Sequence, residues 1–463
     1  MSSVPRICDA DAPGAARAAA RTPRFGFSSL PQPLLRHILA LLPVDARARS
    51  AAVHPSWSDA LVDPALWARL DLSRASGIAR ERVTLALFLG AAKRAAGQLV
   101  SLDLRDCYSF TYKFDEVVRV ARESRALQVV HLQQYCHNAD EQFHGQECDQ
   151  LMALLLAAPQ LQLLHADLYL LRWDFDTALQ MLHSEGQFTP LRLGYLTVSV
   201  SNATVAEVVQ LMAALPSHST ITGLELCCAW FEVWPGALLD AVVTAALASQ
   251  LTTVVFYECE LGPGAAPALA RLLSGTSLTS LRIAYDDAGP QLDEDAAVLL
   301  ADALRANSAL TSLEIANMHI WSTPAVGAAL FAALVAHPSL QTFVWSEAHR
   351  CEHEALAGLA LHALVAANAP ALRHLDVHVW VGNGHQGPLL DALPRNTHLC
   401  CLDFSTSHMD LAFARHRLLP AVRANTSLRR LFDPRYVLSH DEEVEEVVLE
   451  AMALVNSRGG LPA

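Results

Sequence analysis

The chain has 463 residues, of which 52% are hydrophobic and 17% are charged. This composition supports a large buried core and excludes a chain that is disordered throughout. Apolar runs stay shorter than the roughly 18 residues that indicate a membrane-spanning helix, and the first residues lack the pattern of a secretory signal. The ten cysteines have no framework spacing, which predicts reduced thiols in a cytoplasmic or nuclear protein.

Charge is divided unevenly along the chain, although the formal total is −14. Residues 1–98 carry 13 basic and 7 acidic side chains, whereas residues 99–463 carry 20 basic and 40 acidic ones. The acidic second part should repel nucleic acids and anionic membranes, so we expect neither as a partner. A basic protein target suits it better. Only two of the 33 basic residues are lysines, Lys93 and Lys113.

Residues 1–26 place arginines among alanines and prolines without any apolar periodicity. The pattern predicts a disordered arm. An organelle transit peptide is the alternative, since such segments are also rich in arginine and poor in acidic residues.

Residues 27–73 predict three short helices, at 33–42, about 45–53 and about 56–61, followed by the sequence DPALW. The first helix is apolar at six of nine positions, namely Leu34, Leu35, Ile38, Leu39, Leu41 and Leu42. A unit of about 45 residues without metal or disulfide cannot cover that much apolar surface by itself. The excess predicts a surface that another protein covers.

This segment resembles an F-box in both the order and the spacing of its residues. The matching positions are Leu30-Pro31, Leu34, Ile38-Leu39, Leu42-Pro43, Asp45, Val53, Trp57, Asp63-Pro64 and Leu66-Trp67. Two positions depart from the family pattern: Ala46 stands where leucine is usual, and His54-Pro55 replaces a small residue or cysteine followed by a basic one.

The resemblance implies docking to a Skp-family adaptor of a cullin-RING ubiquitin ligase. The adaptor-binding residues that it implies are Leu30, Pro31, Leu34, Ile38, Leu39, Leu42, Pro43, Val53 and Trp57. For Val53 and Trp57, packing inside the three-helix unit is an equally good interpretation, because large apolar side chains commonly hold a small module together.

A linker helix is predicted at 74–98, and from residue 99 to 438 the chain repeats a hexamer of the form L-x-x-L-x-L. Twelve copies occur at steps of 27 to 34 residues, starting at 99, 127, 161, 193, 221, 251, 278, 310, 340, 372, 399 and 428. Segments with helical periodicity, such as 293–307 and 323–337, separate them. Several helices end at a residue that tolerates the left-handed conformation, namely Asn307, His337, Asn396 and Asn425.

These hexamers resemble leucine-rich repeats of the ribonuclease-inhibitor-like class. The fold class that follows is an α/β solenoid of about twelve strand-loop-helix units with a parallel sheet on its concave face, preceded by an all-α three-helix F-box. The family's polar residue after each strand is matched mainly at Cys107 and Cys259. Residues 439–463 predict a capping helix and tail, because Ser439 and Glu442 form a capping box.

Polar side chains at the variable hexamer positions alternate with the core leucines and should face the concave surface. The expected target-binding residues are Asp103, His131, His165, Asp167, Glu225, Trp230, Arg282, Glu314, Asp376 and Asp403. His378 and the loop aromatics Phe231 and Trp234 belong to the same surface. An ordinary solvated acidic wall, with the tryptophans covering the end of the sheet, is the competing interpretation.

Two motifs resemble binding sites for a cofactor or a metal ion. Gly382, Gly384 and Gly387 have dinucleotide-binding spacing, but neighbouring hexamers stay in register, which favours an ordinary strand-to-helix loop with Pro388 opening the helix. Cys136, His137, His144 and Cys148 have zinc-ligand chemistry, but their spacing is awkward. We therefore expect no cofactor and no metal, and no catalytic residue is identified.

The resemblance implies a non-catalytic substrate-recognition subunit of a Skp-cullin-F-box ubiquitin ligase, which binds a protein target through the repeats. The alternative is a leucine-rich-repeat binding or inhibitor scaffold that acts without ubiquitin, its N-terminal helices capping the solenoid. An enzyme is a third and weaker hypothesis.

Overall fold

The computed structural model describes most of the chain. The described residues are 30–73, 83–105, 107, 113–132, 148–170, 191–199, 205–217, 220–227, 236–259, 261, 264–285, 292–350, 353–380, 383–404, 409–431 and 442–458. The zinc-like sequence between Cys136 and His144 lies outside them, as do Trp230, Phe231 and Trp234. None of the described helices is long and apolar enough to cross a bilayer.

Three short helices open the described chain, as the sequence predicts. They are α1 (Gln32–Ala40), α2 (Val44–Ser50) and α3 (Pro55–Ala60), followed by a 3-10 turn at Pro64–Trp67. Proline, whose fixed φ suits the start of a helix, precedes or begins each of them. The Asp63 carboxylate caps the 3-10 turn by accepting the Ala65 N–H at 3.0 Å.

Thirteen parallel strands follow in strict chain order within one sheet. They are β1 (Arg69–Asp71), β2 (Ser101–Asp103), β3 (Val129–His131), β4 (Leu163–Leu170), β5 (Leu191–Ser199), β6 (Gly223–Cys227), β7 (Thr253–Tyr257), β8 (Ser280–Ala284), β9 (Ser312–Ala316), β10 (Thr342–Arg350), β11 (His374–Trp380), β12 (Cys401–Phe404) and β13 (Arg430–Leu431). A sheet in which each strand pairs with the next in sequence is the architecture of a solenoid.

Helices alternate with the strands. They are α4 (Leu85–Ala95), α5 (Phe114–Glu123), α6 (Cys148–Ala157), α7 (Val205–Ala214), α8 (Gly236–Ala248), α9 (Ala265–Leu273), α10 (Glu294–Ala306), α11 (Pro324–Ala336), α12 (Glu354–Ala366), α13 (Asn383–Ala392), α14 (Leu411–Phe413), α15 (Leu419–Ala424) and α16 (Glu442–Asn456). A π-helical turn, Ala414–Leu418, joins α14 to α15. The last helix, α16, buries Val444, Val448 and Val455, while the expected cap Ser439 lies outside the described residues.

The apolar hexamer positions form the layer between sheet and helices. Fourth positions of neighbouring hexamers pair in register, for example Leu281 with Leu313 and Leu375 with Leu402. All these side chains are buried in one continuous core. Between β4 and β5 the register shifts, and Leu164 pairs with Leu191. The repeated hexamer therefore predicts both the strands and the core layer correctly.

The sheet begins one repeat before the first hexamer, which starts at residue 99. Strand β1 pairs with β2 so that Leu70 faces Leu102, and Trp67 occupies the position that Leu99 holds in the next unit. Trp67 is fully buried. Helix α4, which the sequence analysis assigns to a linker, lies between these two strands as the other helices do between theirs. The F-box-like segment thus continues directly into the solenoid.

The residues at the helix ends differ from expectation. Asn307, His337, Asn396 and Asn425 all have extended backbone, with φ between −71° and −79°. Their role lies in the side chain instead. Asn425 Nδ2 donates to the carbonyls of Leu393 and Asn396 at 2.8 Å each, and its Oδ1 accepts the N–H groups of Ser427 and Leu428 at 2.9 Å.

The glycine-rich segment also differs from expectation. Helix α13 already begins at Asn383, so Gly384 and Gly387 lie within it, and Pro388 lies inside the helix instead of opening it. The described part of the segment, from Asn383 onward, is therefore helical instead of forming the expected strand-to-helix loop. The two family-like cysteines do stabilise loops: Cys107 Sγ donates to the Leu72 carbonyl and Cys259 Sγ to the Leu226 carbonyl, both at 3.2 Å.

Candidate protein-interaction surfaces

Helix α1 divides its apolar residues between two faces. Leu35 and Leu39 point into the chain and are 1% and 0% exposed. Leu34, Ile38 and Leu41 follow the spacing i, i+4, i+7, which places them along one line of the helix. Leu34 is 46% exposed, Leu41 is 73% exposed, and Ile38 is half-buried between them. We call these three residues the α1 stripe.

The other expected adaptor-binding residues have mixed environments. Pro31 and Val53 are exposed, whereas Leu30, Leu42, Pro43 and Trp57 are half-buried. Leu30, Leu42 and Trp57 pack against the core. Leu39 requires a correction, because its side chain has no exposed area and supports the helix from inside. Leu41 belongs to the surface, and its spacing of seven residues from Leu34 was the signal that could have identified it.

The face of the sheet turned away from the helices, here called the open face, carries the third and fifth hexamer positions. From β1 to β4 the fifth positions pair in register as Asp71, Asp103, His131 and His165. The register shifts between β4 and β5, and the row continues from β5 as Thr197, Glu225, Val255, Arg282, Glu314, Val344, Asp376 and Asp403. The valines interrupt the polar row, so the expected acidic wall is divided into separate clusters. The side chain of Asp167 and all of Trp230 lie outside the described residues.

The first cluster lies at the N-terminal end of the sheet. Arg105 binds Asp103 through both Nε and Nη2, with the shortest contact at 2.6 Å. The rings of His131 and His165 meet edge to face with centroids 5.8 Å apart. Burial lowers the pKa of His165, and the neighbouring His131 and Arg105 lower it further. The His165 imidazole is therefore predominantly neutral at physiological pH.

The central cluster combines two carboxylates with one guanidinium. Arg282 Nε lies 3.0 Å from Glu314 Oε1, and Arg282 also lies over the ring of Tyr257. The Tyr195 hydroxyl donates to Glu225 Oε2 at 3.4 Å. Burial raises the pKa of both Glu225 and Glu314, and the charge of Arg282 opposes that rise. One cation thus serves two half-buried carboxylates, which suits a partner that brings a second cation.

The third cluster lies near the C-terminal end. Asp376 and Asp403 are register partners on β11 and β12, and His378 Nε2 lies 2.7 Å from Asp376 Oδ1. On the neighbouring row, Arg430 Nη2 donates to His374 Nε2 at 2.8 Å. Burial lowers the pKa of His374, and the positive charge of Arg430 lowers it further.

Residues at the third hexamer position also lie on the open face, although they are not among the expected target-binding residues. Tyr195, His374 and Arg430 occupy this position, and their side chains join the clusters just described. Between β7 and β10 the same row consists of small hydroxyl residues, Thr253, Ser280, Ser312 and Thr342. Because both positions alternate with the core residues, the hexamer itself was a sufficient signal for them.

A model of the F-box-like family matches residues 27–73. Among solved structures, the chain is similar to the leucine-rich repeat-containing protein LegL7 from Legionella pneumophila, with 16% identity, a TM-score of 0.33, and coverage of 64% of this chain and 89% of that one. The search of curated proteins finds no match. Residues 27–73 are thus F-box-like in sequence, and the thirteen-stranded sheet that begins within them has the architecture of a leucine-rich-repeat solenoid.

Proposed function

We propose that this protein is the substrate-recognition subunit of a Skp-cullin-F-box ubiquitin ligase. In this proposal the α1 stripe and its neighbours bind a Skp-family adaptor, and the open face of the sheet holds a protein target. Such a subunit catalyses no reaction itself. It raises the local concentration of the target near the ubiquitin-charged enzyme.

The observation that carries the proposal is the exposed α1 stripe inside the segment that matches the F-box-like family. The described part of the chain already buries the opposite face of α1 through Leu35 and Leu39. The remaining apolar face is therefore available to another protein, and apolar residues along one line of a helix are typical of helix-in-groove recognition.

For the target, the open face supports a protein that contributes cations. Its central cluster holds two carboxylates of raised pKa around one arginine. An additional lysine or arginine from a partner would pair with the carboxylate that Arg282 does not neutralise. Residues 99–463 have a charge of −20, so long-range attraction acts in the same direction.

A second candidate function, a repeat scaffold that acts without ubiquitin, has one observation in its favour. The three-helix segment packs against α4 of the first repeat, and the 3-10 turn that follows it places Trp67 in the core. A unit that protects the end of a solenoid needs no adaptor.

Adaptor binding by the intact chain separates the two candidates. The isolated segment 25–75 is unsuitable, because β1 would lose its partner strand β2. The full-length protein should therefore be mixed with a purified Skp-family adaptor and the complex measured by size-exclusion chromatography and calorimetry. A stoichiometric complex supports the ligase subunit. Absence of binding by a folded chain favours the scaffold.

A further inference from the structure

Two pairs of aspartates occupy equivalent places at opposite ends of the open face. Asp71 and Asp103 are register partners on β1 and β2, and Asp376 and Asp403 are register partners on β11 and β12. Like charges that face each other on neighbouring strands destabilise a sheet. Each pair therefore needs a compensating positive charge or hydrogen-bond donors.

The N-terminal pair is compensated by this chain. Arg105, two residues after Asp103, makes three hydrogen bonds to its carboxylate. Asp71 accepts the N–H and the hydroxyl of Ser73 at 3.0 and 2.6 Å. Both carboxylates are thus provided with donors from their own strand ends.

At the C-terminal pair a histidine takes the place of the arginine. His378 follows Asp376 by two residues, as Arg105 follows Asp103, and its Nε2 lies 2.7 Å from Asp376 Oδ1. Arg430, on β13, donates to His374. An imidazole, unlike a guanidinium, is a good ligand for a transition metal.

We propose that Asp376, His378 and Asp403 form a binding site for a divalent transition-metal ion, with Zn²⁺ as its representative. One ligand atom from each of these residues lies within 4.8 Å of the others. Tetrahedral zinc with bonds of about 2.0–2.2 Å places ligand atoms about 3.3 Å apart. Binding would therefore separate Asp376 Oδ1 and His378 Nε2, now 2.7 Å apart, and adjust Asp403 toward them.

The surroundings favour a site with three protein ligands and one open position. Asp376 and His378 are each 29% exposed at the side chain, whereas Asp403 is buried. The ion would rest on the sheet and keep its outer side toward the open face, where water or a side chain of a bound protein completes the coordination. His374 is not included, because its Nε2 accepts from Arg430.

Stoichiometry of metal binding by the full-length protein tests the proposal. The chelator-treated protein should be titrated with Zn²⁺ against a chromophoric chelator, and the bound metal counted by mass spectrometry. Because the chain contains ten cysteines and twenty histidines, the relevant quantity is the difference between variants. His378→Asn and Asp403→Asn should each bind one equivalent less than the wild type.

A matched control is Asp71→Asn at the equivalent N-terminal pair, which should bind as many equivalents as the wild type. Replacement of Zn²⁺ by Co²⁺ gives an independent readout: the d–d absorption of an N/O-ligated ion should disappear in His378→Asn, whereas thiolate bands from other sites should remain. Equal zinc stoichiometry and equal cobalt spectra in wild type and both site variants would overturn the proposal. His378 would then act only as a side-chain partner of Asp376, in the place that Arg105 has beside Asp103.

Discussion

Arg47 donates from Nε to the carbonyl oxygen of Leu39 at 3.0 Å and so caps the C-terminal end of α1 from the following helix. Its Nη2 donates to the carbonyls of Ala40 and Leu42 at 3.1 and 2.9 Å, and Nη1 donates to the carbonyl of Leu66. Arg47 is buried, and its guanidinium lies 5.6 Å from the centre of the Trp67 ring. Arg47 thus connects α1, which carries the α1 stripe, with Trp67, the first core residue of the solenoid.

Replacement of Arg47 by methionine should destabilise the N-terminal unit by about 2–4 kcal/mol, because several buried carbonyls lose a charged donor. Methionine keeps much of the apolar stem, so the loss reports the guanidinium. Urea titration followed by tryptophan fluorescence measures the change. Arg49→Met is the control: Arg49 is exposed and pairs only within α2, with Asp45, so the expected change is about 0.5 kcal/mol or less. Equal effects of both substitutions would contradict the capping role.

The hexamers predicted twelve strands because each needs the same apolar residues at fixed positions. The first strand escaped detection since Trp67 replaces the leucine that begins the hexamer, and the residues around it also fit the end of an F-box. These residues thus fit both the end of an F-box and the strand of a repeat. The pairing of Leu70 with Leu102 shows that they form the first strand of the sheet. The sequence could not reveal this pairing.

The interaction surfaces were predictable in type but less so in detail. The alternation of side chains along a strand correctly indicates which residues face away from the core. It does not indicate which of these residues contact one another. Asp103 and Asp376 look alike in sequence, but Arg105 neutralises the first and His378 contacts the second. In α1, helical periodicity identifies an apolar face, but Leu34 and Leu39 differ in burial because the described part of the chain packs mainly on the side of Leu39.

The α1 stripe should dominate adaptor binding. Leu34→Asp and Leu41→Asp each place a charge on the exposed face and should weaken binding at least tenfold, about 1.4 kcal/mol, with unchanged circular dichroism. Leu39→Asp should instead unfold the N-terminal unit, because Leu39 is fully buried. Val62→Asp, an equally exposed residue outside the stripe, is the matched control for added charge. Weakening by Val62→Asp as large as that by Leu34→Asp would remove the stripe from the interface.

The buried asparagines at the helix ends should contribute strongly to stability. Asn425→Leu leaves two carbonyls and two N–H groups without the partners that Asn425 supplies. The expected loss is about 2–4 kcal/mol, since unsatisfied buried polar groups are costly. Thr426→Ala is the control, because Thr426 is adjacent but exposed. Hydrogen exchange at the N–H groups of Ser427 and Leu428 gives the local readout, and unchanged protection there would refute the role.

Glu225 should make the stability of the central repeats depend on pH. Burial raises the pKa of Glu225 in the folded protein above the unfolded value, which is about 4.3. The folded state therefore holds this proton more tightly. The resulting stabilisation is fully present below the unfolded pKa and is lost as the pH rises through the folded pKa.

Glu225→Gln, which is neutral at every pH, should show a smaller loss of stability between acidic and neutral pH than the wild type. Thermal unfolding at a series of pH values measures this slope. Glu123→Gln, at an exposed carboxylate on α5, should leave the slope unchanged. A wild-type slope retained in Glu225→Gln would show that another group titrates.

Scarcity of lysine should protect this protein from its own ligase, if the proposed function is correct. Ubiquitin is transferred to lysine amines, and Lys93 and Lys113, both exposed, are the only two lysines in the chain. In a reconstituted ligase the wild type should acquire little ubiquitin, and Lys93→Arg combined with Lys113→Arg should remove what remains on side chains while preserving charge. Arg122→Lys, an added acceptor on the exposed side of α5, should increase modification. Abundant modification of both native lysines, mapped by mass spectrometry, would show that their scarcity offers no protection, because two well-placed acceptors are then sufficient for self-modification.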